Sequence, residues 1–285
     1  MSGLQIHAES GLLVLRHGAA SRGSAVALVL PLTLRVGPST PLPAPVSSLV
    51  DDLQDDGATV YLVGSTHRDA ASGAQGLRSW RDTLLPRALD RIVRDAKVDS
   101  TGPLHLVGVG LGGSLLAAAL LEAPTLPSGR LPPGAVVLVG SAVDWGRAPV
   151  LRRARRLLSS WRLSGLEVPV CVGQAVVTGL AGPRAWTARP ADGFGEVPAA
   201  GGRMSGALID DLSRWSPTGG RRVQRNLLLV HGNRDAVFPA AVSRPLHAVW
   251  GGPVRVQHVD GEGHLLAGLS ATRSALRAHL AGAPA

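Results

Sequence analysis

Leu104–Leu116 reads LHLVGVGLGGSLL, and its continuation through Glu122 reads AAALLE. The stretch is apolar for almost the length of a membrane span. Four glycines, Gly108, Gly110, Gly112 and Gly113, divide it into a strand-like half and a helix-like half. That punctuation predicts two buried elements joined by a tight turn, as in the core of a soluble α/β protein, and argues against a single spanning helix.

Outward from this turn, short apolar runs recur as candidate strands: Leu12–Arg16, Ala25–Leu30, Thr59–Val63, Leu104–Gly108, Ala135–Val139, Asn226–His231 and Val254–Val259. Most are continuous rather than alternating, which suits strands covered on both faces. Between several of them lie candidate helices at Val46–Asp56, Ser79–Ala96, Ser114–Glu122 and Ala240–Trp250. Pro86 predicts that the second helix bends or starts late. The alternation gives an α/β fold with a mostly parallel, doubly wound sheet. The chain reads as one domain over residues 1–285. The interval 145–225 is too long for an ordinary crossover and is expected to be a cap inserted over the sheet's C-terminal edge.

Two kinds of site share the strand, Gly-turn, helix outline. One is the nucleophile elbow G-x-S-x-G, in which a strained turn lifts a nucleophile above the sheet edge and the next backbone N–H helps form an oxyanion hole. In that frame Gly110 stands at the nucleophile position and Leu111 supplies an oxyanion N–H, with Leu32 on an earlier loop as its partner. The other is the dinucleotide fingerprint G-x-G-x-x-G, which Gly108, Gly110 and Gly113 match, although at least three strands precede it and no acid follows at about 20 residues.

The last third of the chain favours the elbow. NLLLVHGNRD (226–235) is a strand ending in an acid, and VRVQHVDGEGH (254–264) is a strand ending in a histidine. Nucleophile, acid and histidine occur in that chain order in hydrolases built on an elbow. Asp235 would hold the His264 imidazole in one tautomer and stabilise the imidazolium formed on proton transfer.

These segments resemble the α/β-hydrolase superfamily, and within it look most like polyhydroxyalkanoate synthases, which join hydroxyacyl-CoA units into polyester through a cysteine in G-x-C-x-G. LHLVGVGLGGSLLAAAL is similar to the synthase elbow, VYLVGSTHRDAAS (60–72) to its strand and loop, and AVVLVGSAVDW (135–145) to its strand ending in Asp and an aromatic. The resemblance implies an α/β-hydrolase fold and a ligand of the acyl-CoA or polyester kind, with no cofactor. The departure is Gly110, because glycine has no thiol or hydroxyl. Three outcomes follow. The protein is a pseudoenzyme that binds acyl or hydroxyacyl (thio)esters, alone, as a homo-oligomer or beside an active homologous subunit. Alternatively it is a nucleophile-free hydrolase or lyase using His264 and Asp235, or else a dinucleotide-binding protein. Ser114 and Cys171 are weaker nucleophile candidates, since neither lies on an activating turn.

Charge adds one further candidate surface. The 29 cations exceed the 20 anions, and all but Lys97 are arginine. APVLRRARRLLSSWRL (148–163) reads as a basic amphipathic helix. Its Arg152, Arg153, Arg155 and Arg156 either lie in water or contact coenzyme A phosphates, a membrane or a polyester granule surface. No aromatic platform accompanies them, so nucleic acid is not expected, and no Cys/His spacing suggests a metal. The single cysteine excludes an internal disulfide, and MSGLQIHAESG lacks a secretory pattern, so a cytoplasmic location is expected.

Overall fold

The computed structural model describes residues 3–18, 24–31, 36–65, 76–99, 102–123, 133–147, 152, 156, 167–169, 203–218, 222–235, 238–262 and 270–282. The chain opens with a hairpin, β1 (Leu4–Glu9) and β2 (Leu12–His17). Ser10 and Gly11 between them have φ of 46° and 80°. Positive φ at both central residues is what a type I′ hairpin turn requires. β3 (Ala25–Val29), α1 (Ala44–Asp55) and β4 (Thr59–Ser65) follow.

A continuous helical stretch comes next: α2 (Leu77–Ser79), a π-helical turn (Trp80–Leu84) and α3 (Leu85–Asp99). The expected bend or late start at Pro86 falls at this interruption, since the long α-helical run begins only at Leu85, one residue before the proline. Proline lacks an N–H and crowds the carbonyl four residues back, and the widened turn just before it lets the helix run on. β5 (Leu104–Val109) leads into α4 (Leu111–Glu122), which starts three residues earlier than its apolar run suggested. β6 (Val136–Val139) ends the first half.

Among the described residues of the long interval, β7 (Glu167–Pro169) and β8 (Arg203–Ser205) pair antiparallel, and α5 (Gly206–Arg214) follows. Leu208, Leu212 and Trp215 of this returning stretch pack into the core on one face of the main sheet. β9 (Leu227–Gly232), a 3-10 turn (Ala240–Ser243), α6 (Pro245–Val249), β10 (Val254–Val259) and α7 (Ser270–Ala281) complete the chain. The single helix expected over Ala240–Trp250 is thus two short pieces, broken where Pro245 cannot donate to the preceding turn.

The main sheet has eight strands in the order β1-β2-β4-β3-β5-β6-β9-β10. β1 and β2 are antiparallel to their neighbours and the remaining pairs are parallel. β3, β4, β6 and β9 are buried along their whole lengths, because helices cover both faces. On one face Leu104, Leu106 and Leu138 meet the helices of the 77–122 stretch and α5. On the other, Val107, Val137 and Val230 meet α1 and α7 through Leu49, Leu53, Leu276 and Leu280. All parallel strands point the same way, so their C-terminal ends line one edge.

At the opposite edge, His105 is 3% exposed, and its Nδ1 accepts the Ala135 N–H at 3.1 Å. Burial, reinforced by the nearby positive charges of Arg225 and His279, pushes its pKa down to about 4. Burial also lowers His17 and His279. A histidine held neutral in the fold but free to protonate when unfolded contributes stability above pH 6.5 that is lost as pH falls below it. We expect His105 alone to cost about 1.5 kcal/mol between pH 6.5 and 5. Urea titrations at the two pH values should show that loss, and His105→Asn, which keeps an acceptor, should reduce it. An unchanged loss in His105→Asn would place the acid sensitivity elsewhere.

Candidate active site

β5 delivers the chain to the C-terminal edge at Val109. Gly110, the next residue, has φ 54° and ψ −126°, and α4 begins immediately after it. Only glycine adopts that backbone without strain. Its N–H donates to Val139 O at 2.9 Å, and its carbonyl accepts from Gly113 N at 3.1 Å and Ser114 N at 3.3 Å. The turn is therefore pinned on both sides.

The other glycines of the turn are there for space. A Cβ on Gly108 would lie 2.4 Å from Gly113 Cα, and one on Gly112 would lie 2.4 Å from Val29 O and 2.6 Å from Leu30 O. On Gly113 it would lie 1.9 Å from Ser141 Oγ. Gly110 differs from all three. Among the described residues its Cβ would meet Pro31 Cγ alone within 4 Å, and at 3.5 Å that is ordinary contact. The turn thus has the close approaches of an elbow around one position where a Cβ would meet no crowding among the described residues, and that position holds glycine.

Leu111 and Gly112 are the first residues of α4, so their N–H groups lie beyond the reach of intrahelical acceptors, as at any helix start. Leu111 sits where an oxyanion donor is expected. Leu32, its expected partner, lies outside the described residues, while Pro31 just before it borders Gly110. Ser114 is fully buried, and its hydroxyl has no partner in the helix or sheet. A hydroxyl enclosed in the core is unavailable as a nucleophile. Cys171 lies outside the described residues.

Asp235 follows β9 by three residues and is 4% exposed. Its N–H donates to Gly232 O at 3.2 Å, and its Oδ1 accepts the Phe238 N–H at 2.7 Å. Phe238 is fixed in turn, with its carbonyl oxygen 3.2 Å from His231 Nδ1. His264 itself lies outside the described residues. The loop that leads to it, however, is joined to the Asp235 loop. Asn233 N donates to Val259 O at 3.1 Å and Arg234 N to Glu262 O at 2.9 Å. The Asn233 side chain donates to Asp260 Oδ1 and accepts from Gly261 N, both at 2.9 Å. The structure thus ties the acid's loop to the histidine's loop within two residues of His264. In the sheet β6 alone separates β5 from β9, so Gly110 and Asp235 share the edge two strands apart.

Sequence reasoning did not single out Asn233 or Phe238. The signal for Asn233 was present in HGNRD, where an amide after a strand's final glycine can serve both as donor and as acceptor. Of the four arginines read as a basic surface, Arg152 and Arg156 are exposed on helical backbone, and Arg153 and Arg155 lie outside the described residues. Among the described residues no group of three His, Cys, Asp or Glu side chains could hold a metal, and no helix is long and apolar enough to cross a membrane.

The strand order, with helices on both faces of the sheet and a tight glycine turn between β5 and α4, is that of the α/β-hydrolase fold. Solved structures agree. The monoacylglycerol lipase of Paleococcus ferrophilus superposes with a TM-score of 0.64 over 95% of this chain and 98% of its own, at 19% identity. An esterase from Exiguobacterium antarcticum gives 0.58 over 98% and 99%, at 15% identity. Mouse alpha/beta hydrolase domain-containing protein 10 gives 0.56 over 97% and 95%, at 15% identity. No family model and no curated protein matches the sequence.

Proposed function

We propose that this protein binds acyl or hydroxyacyl (thio)esters at the C-terminal edge of an α/β-hydrolase fold without forming an acyl-enzyme, as a pseudoenzyme descended from acyl-transfer catalysts resembling polyhydroxyalkanoate synthases. One observation carries the proposal. Gly110 holds the strained elbow conformation, where a Cβ would meet no crowding among the described residues, and has no side chain. Acyl transfer through a covalent intermediate needs a thiolate or hydroxyl at that point. The geometry that presents one persists, and so does the acid's fixed carboxylate. Arg152 and Arg156 are exposed and would suit the phosphates of coenzyme A or an anionic surface.

A second reading rests on Asp235. A buried carboxylate at a strand end, on a loop joined to that of His264, is what a general base needs to orient it. Water, or an acidic carbon of the ligand, would then lose a proton to His264, with the Leu111 N–H stabilising the developing oxyanion. The dinucleotide reading has less behind it. At least three strands precede the glycine turn, and no acid follows it at about 20 residues.

Turnover of 3-hydroxybutyryl-CoA and short nitrophenyl esters by wild type beside His264→Ala separates the first two readings. The expected result is no turnover above background in either. Turnover that disappears in His264→Ala would replace the pseudoenzyme reading with the base-catalysed one.

A further inference from the structure

We infer that β10 is a docking edge for a second copy of this chain, the two strands pairing antiparallel about a two-fold axis at Val256 and joining their sheets into one.

β10 ends the main sheet, bonded to β9 on one side and to no described strand on the other. Strands of a parallel sheet are ordinarily covered on both faces. Here Arg255, Val256, Gln257 and His258 are consecutive and all exposed. Successive side chains of a strand point to opposite faces, so both faces of β10 are bare over this stretch. Val256 is 40% exposed, and the other large apolar side chain so exposed among the described residues, Leu4, lies on the opposite edge strand.

The two edges are built differently. Edges that stay unpaired are blunted by bulges, prolines, lysines or covering groups. β1 is interrupted by a register shift between Gln5 and His7, and the Ile6 carbonyl at that point accepts from Arg91 Nε at 3.1 Å. β10 keeps an unbroken register with β9 from Val254 to Val259 and contains neither proline nor lysine.

The direction of the backbone groups fixes how a second copy fits. Pro253 O accepts from Leu227 N at 2.8 Å, and Val259 O accepts from Asn233 N at 3.1 Å. Pro253 and Val259 thus turn their carbonyls inward to β9. Alternation along the strand then turns the polar groups of Arg255 and Gln257 inward and those of Val254, Val256 and His258 outward. A two-fold axis normal to the sheet at Val256 sets Val256 opposite the second copy's Val256, and Val254 opposite the second copy's His258. Every outward residue then exchanges both of its backbone bonds with the residue it faces. On the other face Arg255 lies opposite the second copy's Gln257, whose side-chain carbonyl can accept from the guanidinium. No like charges lie directly opposite each other, and the exposed valines cover one another. An edge matched to itself in this way selects a second copy over an unrelated strand.

Sedimentation equilibrium of wild type, Val256→Pro and Val256→Lys from micromolar to near-millimolar concentration tests this. Proline at 256 removes an outward N–H and no bond to β9, so that variant should unfold close to the wild-type midpoint. Wild type should pass from monomer to dimer over the range, and both variants should stay monomeric. Under mild oxidation Val256→Cys should form a 256–256 disulfide, because Cα atoms of a hydrogen-bonded antiparallel pair lie about 5.5 Å apart. Arg255→Cys should form no 255–255 disulfide, since those positions are only diagonal neighbours. Wild type that stays monomeric throughout, or a dimer that survives Val256→Lys, would overturn the inference. So would open-ended growth with concentration, which would mean β10 of one copy docking on β1 of the next. If Val256→Pro unfolds, Val256→Lys and the 256–256 disulfide decide, and Arg255→Cys linking as readily as Val256→Cys would overturn the pairing.

Discussion

Gly110→Cys and Gly110→Ser should fold and take up one acyl group per chain from a nitrophenyl ester, while wild type takes up none. Removing the nucleophile of a serine hydrolase costs about a millionfold in rate, so restoring it gives this fold its largest available change in chemistry. The steric condition at the Cβ is met, because among the described residues it meets only Pro31, at 3.5 Å. The conformational condition costs something. A side chain at φ 54°, ψ −126° is strained by about 1–3 kcal/mol, which should appear as a lower unfolding midpoint in both variants. Intact-mass spectrometry after brief exposure to ester reads the adduct directly. Cysteine should acylate more readily than serine, since it is partly ionised near neutral pH without help. Absence of an adduct from both folded variants would mean that Asp235 and His264 do not meet over residue 110, and the pseudoenzyme lineage argued from the elbow would have to be given up.

The second large effect is on stability. Gly112→Ala should destabilise the protein by about 3 kcal/mol or more, the range of overpacking and backbone displacement in a close-packed core. Its Cβ would press on the carbonyls of Val29 and Leu30, which belong to β3 and its continuation and cannot rotate away. Separating α4 from β3 would open the core on both sides of the turn. Gly57→Ala makes the comparison informative. Gly57 has positive φ, of 80°, which Gly112 within α4 does not, and nothing among the described residues lies within 4 Å of its Cβ position, so it should lose only the conformational part, about 1 kcal/mol. Denaturant midpoints for the pair separate crowding from backbone strain, and equal losses would contradict the crowding argument.

The central sheet was legible because its strands are buried on both faces and appear as uninterrupted apolar runs. β1 escaped for the opposite reason. It is an edge strand with mixed exposure, and LQIHAE has no run to detect, although Ser10-Gly11 marked its hairpin. α7 and α5 were missed for a related reason: each buries a stripe on the body through a few residues, such as Leu276 and Leu280 or Leu208 and Leu212, and stays polar elsewhere. In the candidate site, chain order was enough to place Gly110 and Asp235 at the same sheet edge. What order could not supply is the distinction among four glycines, which is a matter of what surrounds each missing Cβ. Nor could it supply the Asn233 connection, which depends on two loops 28 residues apart meeting through one amide.

The flanks of the chain between Arg147 and Arg203 are tied together. Ser216 Oγ donates to Asp144 Oδ2 at 3.4 Å, Arg147 Nε donates to the same oxygen at 3.1 Å, and Asp211 Oδ2 accepts the Leu77 N–H at 2.9 Å. The distance between exit and re-entry is thus set by the body, independently of what lies between. In polymer terms the excursion is a closed loop with fixed ends, and doubling its length adds only about 0.6 kcal/mol of closure entropy. Variation in the length of chain between Arg147 and Arg203 therefore leaves the edge carrying Gly110 and Asp235 almost undisturbed, so that length can change without the sheet having to change too.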